Sequence, residues 1–241
     1  MEMVEGRTFW DGALPEAKDV ADRSAIYNAM LDTLADLHKV DYQAAGLGDY
    51  GKPGNYFERQ VGRWTKQYRG SQTDDLASME KLIDYLPLSL PEQKRTAIVH
   101  GDYRIDNMIF HPTAPRVLAV LDWELSTLGD PMSDLAYLMM NWATPADGRS
   151  GLSGLDLDAL GLPQMQAMIE RYAARTGLDD VPDMNWYFAF NLFRLAGIVQ
   201  GIKKRVLDGN ASNDKAAEMA KKVPFLADAA WGFAQAAGAK A

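Results

Sequence analysis

His100-Gly101-Asp102-Tyr103-Arg104-Ile105-Asp106-Asn107, then Val117-Leu118-Ala119-Val120-Leu121-Asp122-Trp123-Glu124, is the part of the chain whose reading decides the fold. Three short apolar runs, 96–100, 107–110 and 117–121, stand here at strand length, and the last reads as a buried β-type run. Pro112 and Pro115 punctuate the last two as a hairpin connection would. Polar residues gather at the ends of these runs: His100, Asp102, Arg104, Asp106 and Asn107, then Asp122, Glu124, Asp130 and Asp134. An aspartate fixed on such a loop can accept a proton from a hydroxyl. Asn107 adds a neutral oxygen and Asp122 a carboxylate. These are the hard donors magnesium takes, filling its other positions from phosphates and water. Arg104, two residues after Asp102, has the charge and reach to meet a transferring phosphoryl. A base, an amide and a carboxylate around one hairpin match the metal-and-base half of a phosphoryl-transfer site.

Outward from this core the sequence turns helical. Over 21–39, Ile26, Ala29, Met30, Leu34 and Leu37 recur at helical spacing, with Asp19 or Asp22 as the cap. Further helices are expected over 55–68, whose face is aromatic and basic, and over 74–85, ended by Pro87. Another is expected over 163–176, with proline in its first turn and Gly177 past its end, and a long apolar one over 182–207. The stretch 214–237 supplies the last helix or two, broken or kinked by Pro224. The chain reads as mainly α with a small inserted β-hairpin or sheet, an α+β fold.

Composition removes other classes. At 241 residues and 47% apolar, the chain can bury a core. It has no cysteine, which excludes disulfides, thiolate zinc sites and a cysteine nucleophile. With three histidines, a histidine-built metal site is nearly out of reach. The net charge of −8 argues against a grip on nucleic acid. No segment reads as a signal peptide or membrane span, so a cytoplasmic location and no membrane partner are expected.

The segment 100–107 resembles the catalytic loop of the kinase fold, H-x-D-x-x-x-x-N, in the form used by aminoglycoside phosphotransferases and choline kinases. Leu121-Asp122-Trp123-Glu124 resembles that family's metal-binding segment, and Gly129-Asp130-Pro131-Met132-Ser133-Asp134-Leu135-Ala136 matches the G-D-P-x-x-D-L-A that follows it. The resemblance implies Asp102 as catalytic base, Asn107 and Asp122 as magnesium ligands beside ATP, and Asp134 as a structural acid bracing the loop. His100 would support the loop by hydrogen bonding, and Arg104 falls where protein kinases place a phosphate-contacting lysine. The stretch 34–41, with Leu37-His38, is similar to the family's helix before the catalytic loop. Residues 55–68 and the stretch from Phe193-Arg194-Leu195-Ala196 to Gln200-Gly201-Ile202 look like a narrower branch, the kinase-like domains fused to some acyl-CoA dehydrogenases. That branch implies a hydroxyacyl-CoA thioester as the hydroxyl acceptor.

The resemblance covers the C-terminal lobe. Residues 1–8 look like the hinge between the lobes, with Met1 at the gatekeeper position and the backbone of Glu2 and Val4 facing adenine. Residues 9–241 look like the helical C-lobe. No Gly-rich loop or strand lysine precedes His100, so the chain reads as a C-lobe without its N-lobe, weakly active or inactive alone. Self-association through the surface left by that lobe is an expectation. Arg59, Arg63, Trp64 and Glu124 are the acceptor-site candidates. The alternative to an enzyme is a non-catalytic acceptor-binding module derived from such a kinase. His38 reads as a satisfied, partly buried histidine, His111 has no role, and Asp106 caps a turn or faces solvent.

Overall fold

The structure is a computed structural model that describes residues 3–210 and 215–240. In chain order its elements are α1 (Val20–Lys39), α2 (Tyr56–Ser71), α3 (Ala77–Tyr85), β1 (Ala97–Val99), β2 (Met108–Phe110), β3 (Val117–Val120) and β4 (Thr127–Gly129), then α4 (Met132–Ala143), α5 (Leu157–Leu160), α6 (Met165–Thr176), α7 (Asn185–Leu207), α8 (Lys215–Ala220) and α9 (Val223–Ala236). The fold is mainly α with small antiparallel sheets. Its residues fall into two compact units, one drawn from 1–53 and 95–182, the other from 54–94 and 183–241.

In the first unit, Asp19 opens α1 by accepting the Asp22 backbone N–H at 2.8 Å. The apolar spacing then buries Ile26, Tyr27, Met30, Leu31 and Leu34. The outer face of α1 is tied to α6 by Arg171 forked onto Asp32, both bonds 2.7 Å, and by Arg175 on Asp36 at 2.6 Å. The strands make two separate antiparallel pairs: β1 with β4 (Ala97 opposite Gly129), and β2 with β3 (Met108 opposite Val120). Residue 7 extends the second pair, since Arg7 and Phe110 exchange backbone bonds of 2.7 and 2.8 Å. The Arg7 guanidinium also holds Asp22 at 2.8 Å and the carbonyls of His111 and Ala114. Helix α4 is buried along almost its whole length, which takes Asp134 inside with it.

The second unit centres on α7. Phe57 of α2 meets the rings of Trp186, Tyr187 and Phe190 edge-on at 5.0–5.4 Å, and Ser78 of α3 bonds Asp228 of α9. Such edge-to-face pairs add to the area term that drives burial of large aromatics.

Several sequence expectations are corrected here. The run 117–121 is half-buried rather than buried, and Leu121 is exposed, because β3 pairs in a two-stranded ribbon with β2 alone. Strand β4 was not foreseen. The third helix starts at Ala77 instead of residue 74, because Asp74 and Asp75 bond Lys203 and Gln72 ahead of the helix. Helix α7 starts at Asn185, whose N–H is accepted by Asp183 at 3.2 Å. The break in the last helical stretch falls at 221–222, and Pro224 sits inside the first turn of α9, where its missing N–H removes no helical bond.

Candidate active site

The loop after β1 is built on backbone anchors. The Asp134 carboxylate accepts the N–H of His100 at 2.5 Å and of Gly101 at 2.9 Å. Burial pushes that carboxyl up, but these bonds and the His38 ring outweigh it and hold it below its ordinary range. Gly101 has φ +84°, and a Cβ there would stand 2.7 Å from the Leu125 carbonyl oxygen, so this turn needs glycine. His100 is fully buried. Its Nδ1 accepts the Asp102 N–H at 3.1 Å, so Nε2 carries the proton and donates to the Leu121 carbonyl at 2.8 Å. One imidazole thus ties the loop to the segment that carries Asp122.

Asp102 is half-buried and held from two sides. Oδ1 accepts the Tyr137 hydroxyl at 2.8 Å, and Oδ2 accepts the Asn107 amide nitrogen at 3.1 Å. The same nitrogen donates to the Asp102 carbonyl at 2.9 Å. With its N–H groups spent on Asp102, Asn107 keeps its amide oxygen for another partner. Asn107 also accepts the Leu121 N–H on its backbone carbonyl at 2.8 Å, which sets Asp122 one residue beyond that pair. Asp122 is exposed and has φ +65°, a left-handed conformation that few non-glycine residues adopt. Such a strained position is often functional. The structure therefore brings Asp102, Asn107, His100, Asp134 and the Asp122 backbone into one assembly.

Among the described residues, no group of three or more His, Asp or Glu could hold a metal by itself. The Asn107 amide oxygen and the Asp122 carboxylate are by type the hard oxygen donors that magnesium takes, its other positions being filled by phosphate oxygens and water.

Other predicted residues land differently. Arg104 forks onto both oxygens of Asp106, and Arg149 approaches the same carboxylate at 3.5 Å. Burial raises the Asp106 carboxyl, and the two guanidiniums more than offset it, holding it below the usual value. Arg104 is thus committed to an ion pair with Asp106, and that pair is half-buried, so Asp106 does not simply face solvent. Glu124 is exposed in the 123–125 turn. Arg59, Arg63 and Trp64 belong to the other unit. Arg59 bonds the Gly54 carbonyl, and Arg63 lies 5.2 Å from the Trp64 ring centre. Trp64 is only 4% exposed, with Arg194 over its ring at 5.7 Å and its N–H on Gln60 at 3.1 Å, so it packs the unit's interior instead of forming an acceptor wall. Val4 is half-buried, while Met1 and Glu2 lie outside the described residues. Sequence reasoning missed Tyr137; its place one helical turn after Asp134 was the available signal.

A mainly α chain with small antiparallel sheets arranged in this way has the kinase-like fold of the phosphotransferases. The sequence pattern of the phosphotransferase enzyme family matches residues 1–174, and the chain belongs to that family. It is 51% identical to a candidate aminoglycoside phosphotransferase of Ralstonia eutropha, over 98% of this chain and 72% of that one, with a TM-score of 0.94. It is 44% identical to acyl-CoA dehydrogenase family member 10 of Mus musculus, over 99% of this chain and 22% of that protein. Family member 11 of Gallus gallus is 42% identical over 95% of this chain and 30% of its own length. The chain thus spans under a third of these curated relatives. Aminoglycoside phosphotransferase APH(4)-Ia, crystallised as a ternary complex with AMP-PNP and hygromycin B, shares the fold at 16% identity, with a TM-score of 0.57 over 97% of this chain and 71% of that one. Among the described residues, no helix is long and apolar enough to cross a membrane.

Proposed function

We propose that this site transfers the γ-phosphoryl of ATP to a substrate hydroxyl with magnesium. The observation that carries the reading is the Asp102 carboxylate, oriented by Tyr137 and by Asn107, whose amide nitrogen is spent on Asp102 and whose amide oxygen is left for a ligand. Crystallisation of APH(4)-Ia with AMP-PNP and ADP supports a nucleotide as donor. In this reading Asn107 Oδ1 and the Asp122 carboxylate hold the magnesium, which when bound neutralises charge on the phosphate oxygens. Asp102 accepts the hydrogen bond of the acceptor hydroxyl and takes its proton as the O–P bond forms. ADP leaves from the opposite side of the phosphorus. Tyr137 and Asn107 keep the carboxylate aimed, and such positioning is most of what this loose transition state asks of a protein. Arg104 acts by keeping the 104–107 turn rigid through Asp106, and the Val4 backbone is the adenine-side contact. The acceptor is a small hydroxyl compound, and similarity to chains named as acyl-CoA dehydrogenases supports a hydroxyacyl thioester, with Glu124 at its entrance.

Thermal shift with magnesium and AMP-PNP tests the nucleotide half. Wild type and His111→Ala gain stability on adding both, while Asp122→Ala gains none. Equal gains in all three would remove Asp122 from the site. An ADP-release screen over hydroxyl acceptors then reads the transfer itself.

A further inference from the structure

We infer that Arg149 is the contact for an anionic group, a carboxylate or a phosphate, carried by the acceptor, which makes the acceptor an acidic hydroxyl compound. The inference rests on the phosphoryl-transfer reading and adds to it the charge class of the substrate. Arg149 lies in the connection that follows α4, and its Nη2 stands 3.5 Å from Asp106 Oδ2. Arg104 already forks onto both oxygens of that carboxylate. Two guanidiniums thus share one acid. The second is held off beyond the 2.7–2.9 Å or so at which a charge-assisted bond closes. Among the described residues this is the one bond that the Arg149 guanidinium makes, and its side chain is 42% exposed against 8% for Asp106. A pair so long and so open to water contributes little to stability.

The backbone that carries Arg149 is nevertheless held on both sides. Asp147 Oδ1 accepts the N–H groups of Arg149 and Ser150 at 3.1 and 3.2 Å, and the Arg149 carbonyl accepts the Gly12 N–H at 2.6 Å. The Ser153 N–H bonds the Thr144 carbonyl at 3.0 Å, and the Ala146 N–H the Ser153 carbonyl at 3.1 Å. Gly151 packs so tightly that a Cβ would stand 1.8 Å from the Pro145 carbonyl oxygen. Ordering an exposed connection costs conformational entropy, and a weak ion pair does not offset it. What the order achieves is to present a guanidinium with donors to spare beside the catalytic loop. Asp106 is four residues past Asp102, and the Arg104 guanidinium between them is close enough to Asp102 to feel its charge. An acceptor that reaches from Asp102 to Asp106 therefore sets its far end at Arg149. Charge decides what that end is. The chain carries −8 overall, and Asp102, Asp106 and Asp122 add negative field here, so an anionic acceptor needs a local cation. A planar fork of five N–H groups meets a carboxylate or phosphate in two parallel bonds. Arg149 can turn from Asp106 to such a group without leaving that acid unpaired, because Arg104 stays on it.

Calorimetric titration of wild type, Arg149→Gln, Arg149→Lys and Arg116→Gln tests this. Arg116 is an exposed arginine of the same unit and controls for loss of charge. Three probes share one acyl group: hydroxybutyrate, hydroxybutyryl-CoA and the uncharged hydroxybutyryl thioester of N-acetylcysteamine. Arg149→Gln is expected to weaken an anionic probe about tenfold or more, the worth of one hydrogen bond to a charged group. The uncharged thioester changes by less than about twofold, the scatter of a surface substitution, and so also reports that the site is intact. Arg149→Lys keeps part of the affinity, and Arg116→Gln leaves all three probes as in wild type. Which anionic probe loses affinity tells whether the charge belongs to the acid or to its carrier. In turnover the same loss is read as a raised acceptor KM with kcat kept. Equal losses for charged and uncharged probes, a loss matched by Arg116→Gln, or no binding of either anionic probe to wild type overturns the inference. So does weaker binding of AMP-PNP with magnesium to Arg149→Gln, which would make Arg149 a nucleotide contact. Anion binding that depends on Arg149, without phosphoryl transfer to any probe by wild type, would instead leave the anion site standing and sink the functional reading alone.

Discussion

Asp130, at the junction of β4 and α4, gives the chain a stability term with an unusual pH sign. It is 3% exposed; Oδ1 accepts the Met132 N–H at 2.9 Å, and its carbonyl accepts the Ser133 N–H at 3.0 Å. Burial pushes its carboxyl up from 3.8 to about 6, and the Met132 bond offsets only part of that. The gap of about 2.2 units, at 1.36 kcal/mol each, is about 3 kcal/mol. A folded-state value above the unfolded one means the favourable term is complete below about pH 4 and lost as pH rises through about 6. Between about pH 4.5 and pH 7 the linkage relation gives a loss of about 2 kcal/mol. Asp130→Asn keeps an oxygen for the Met132 N–H and removes the ionisation. Urea unfolding of both proteins across that range isolates the term, because every other carboxylate cancels in the difference. The variant's advantage over wild type is expected to grow by about 2 kcal/mol toward neutral pH. A difference that stays flat with pH, or shrinks, would show that the Asp130 carboxylate ionises at no cost where it sits.

Three further outcomes follow from the site. Gly101→Ala should cost about 2–4 kcal/mol by urea unfolding, because it combines a left-handed backbone with a Cβ 2.7 Å from the Leu125 carbonyl; a loss under about 1 kcal/mol would mean the turn relaxes freely. Asp102→Asn should lower kcat for ADP release by a hundredfold or so while leaving AMP-PNP binding in place, the expected loss for a general base. Weakened binding with kcat intact would reassign Asp102 to nucleotide contact. Arg104→Ala and Asp106→Asn should lower stability by similar amounts, about 1–3 kcal/mol, since each breaks the same half-buried pair. If Arg104→Ala instead left stability untouched and raised the nucleotide KM, the arginine would be a phosphate contact.

The parts of this molecule that could be read from sequence share one property: their meaning is local. Asp102, Asn107 and Asp122 stood out because a base, an amide and a carboxylate at strand ends are chemically odd within a span of about twenty residues. The apolar spacing of α1 was equally legible, since one turn of helix is enough to show it. What stayed hidden depends on distance in sequence. Strand β4 is three residues long and has no pattern of its own; it exists because β1 lies opposite. The second unit joins 54–94 to 183–241, so no stretch of sequence displays it, and Trp64, from sequence only a candidate for the acceptor site, carries the Arg194 side chain over its ring. His38 is the sharpest case. Within α1 it is one polar residue on an apolar face, and the bland reading of a buried, satisfied histidine is true of it. Only the partners, Tyr172 and Asp134, 134 and 96 residues away, place that histidine on the same carboxylate that accepts the His100 and Gly101 N–H groups. Hydrogen-bond satisfaction can be anticipated from residue type, whereas the consequence of satisfying it belongs to whichever group the fold brings within reach.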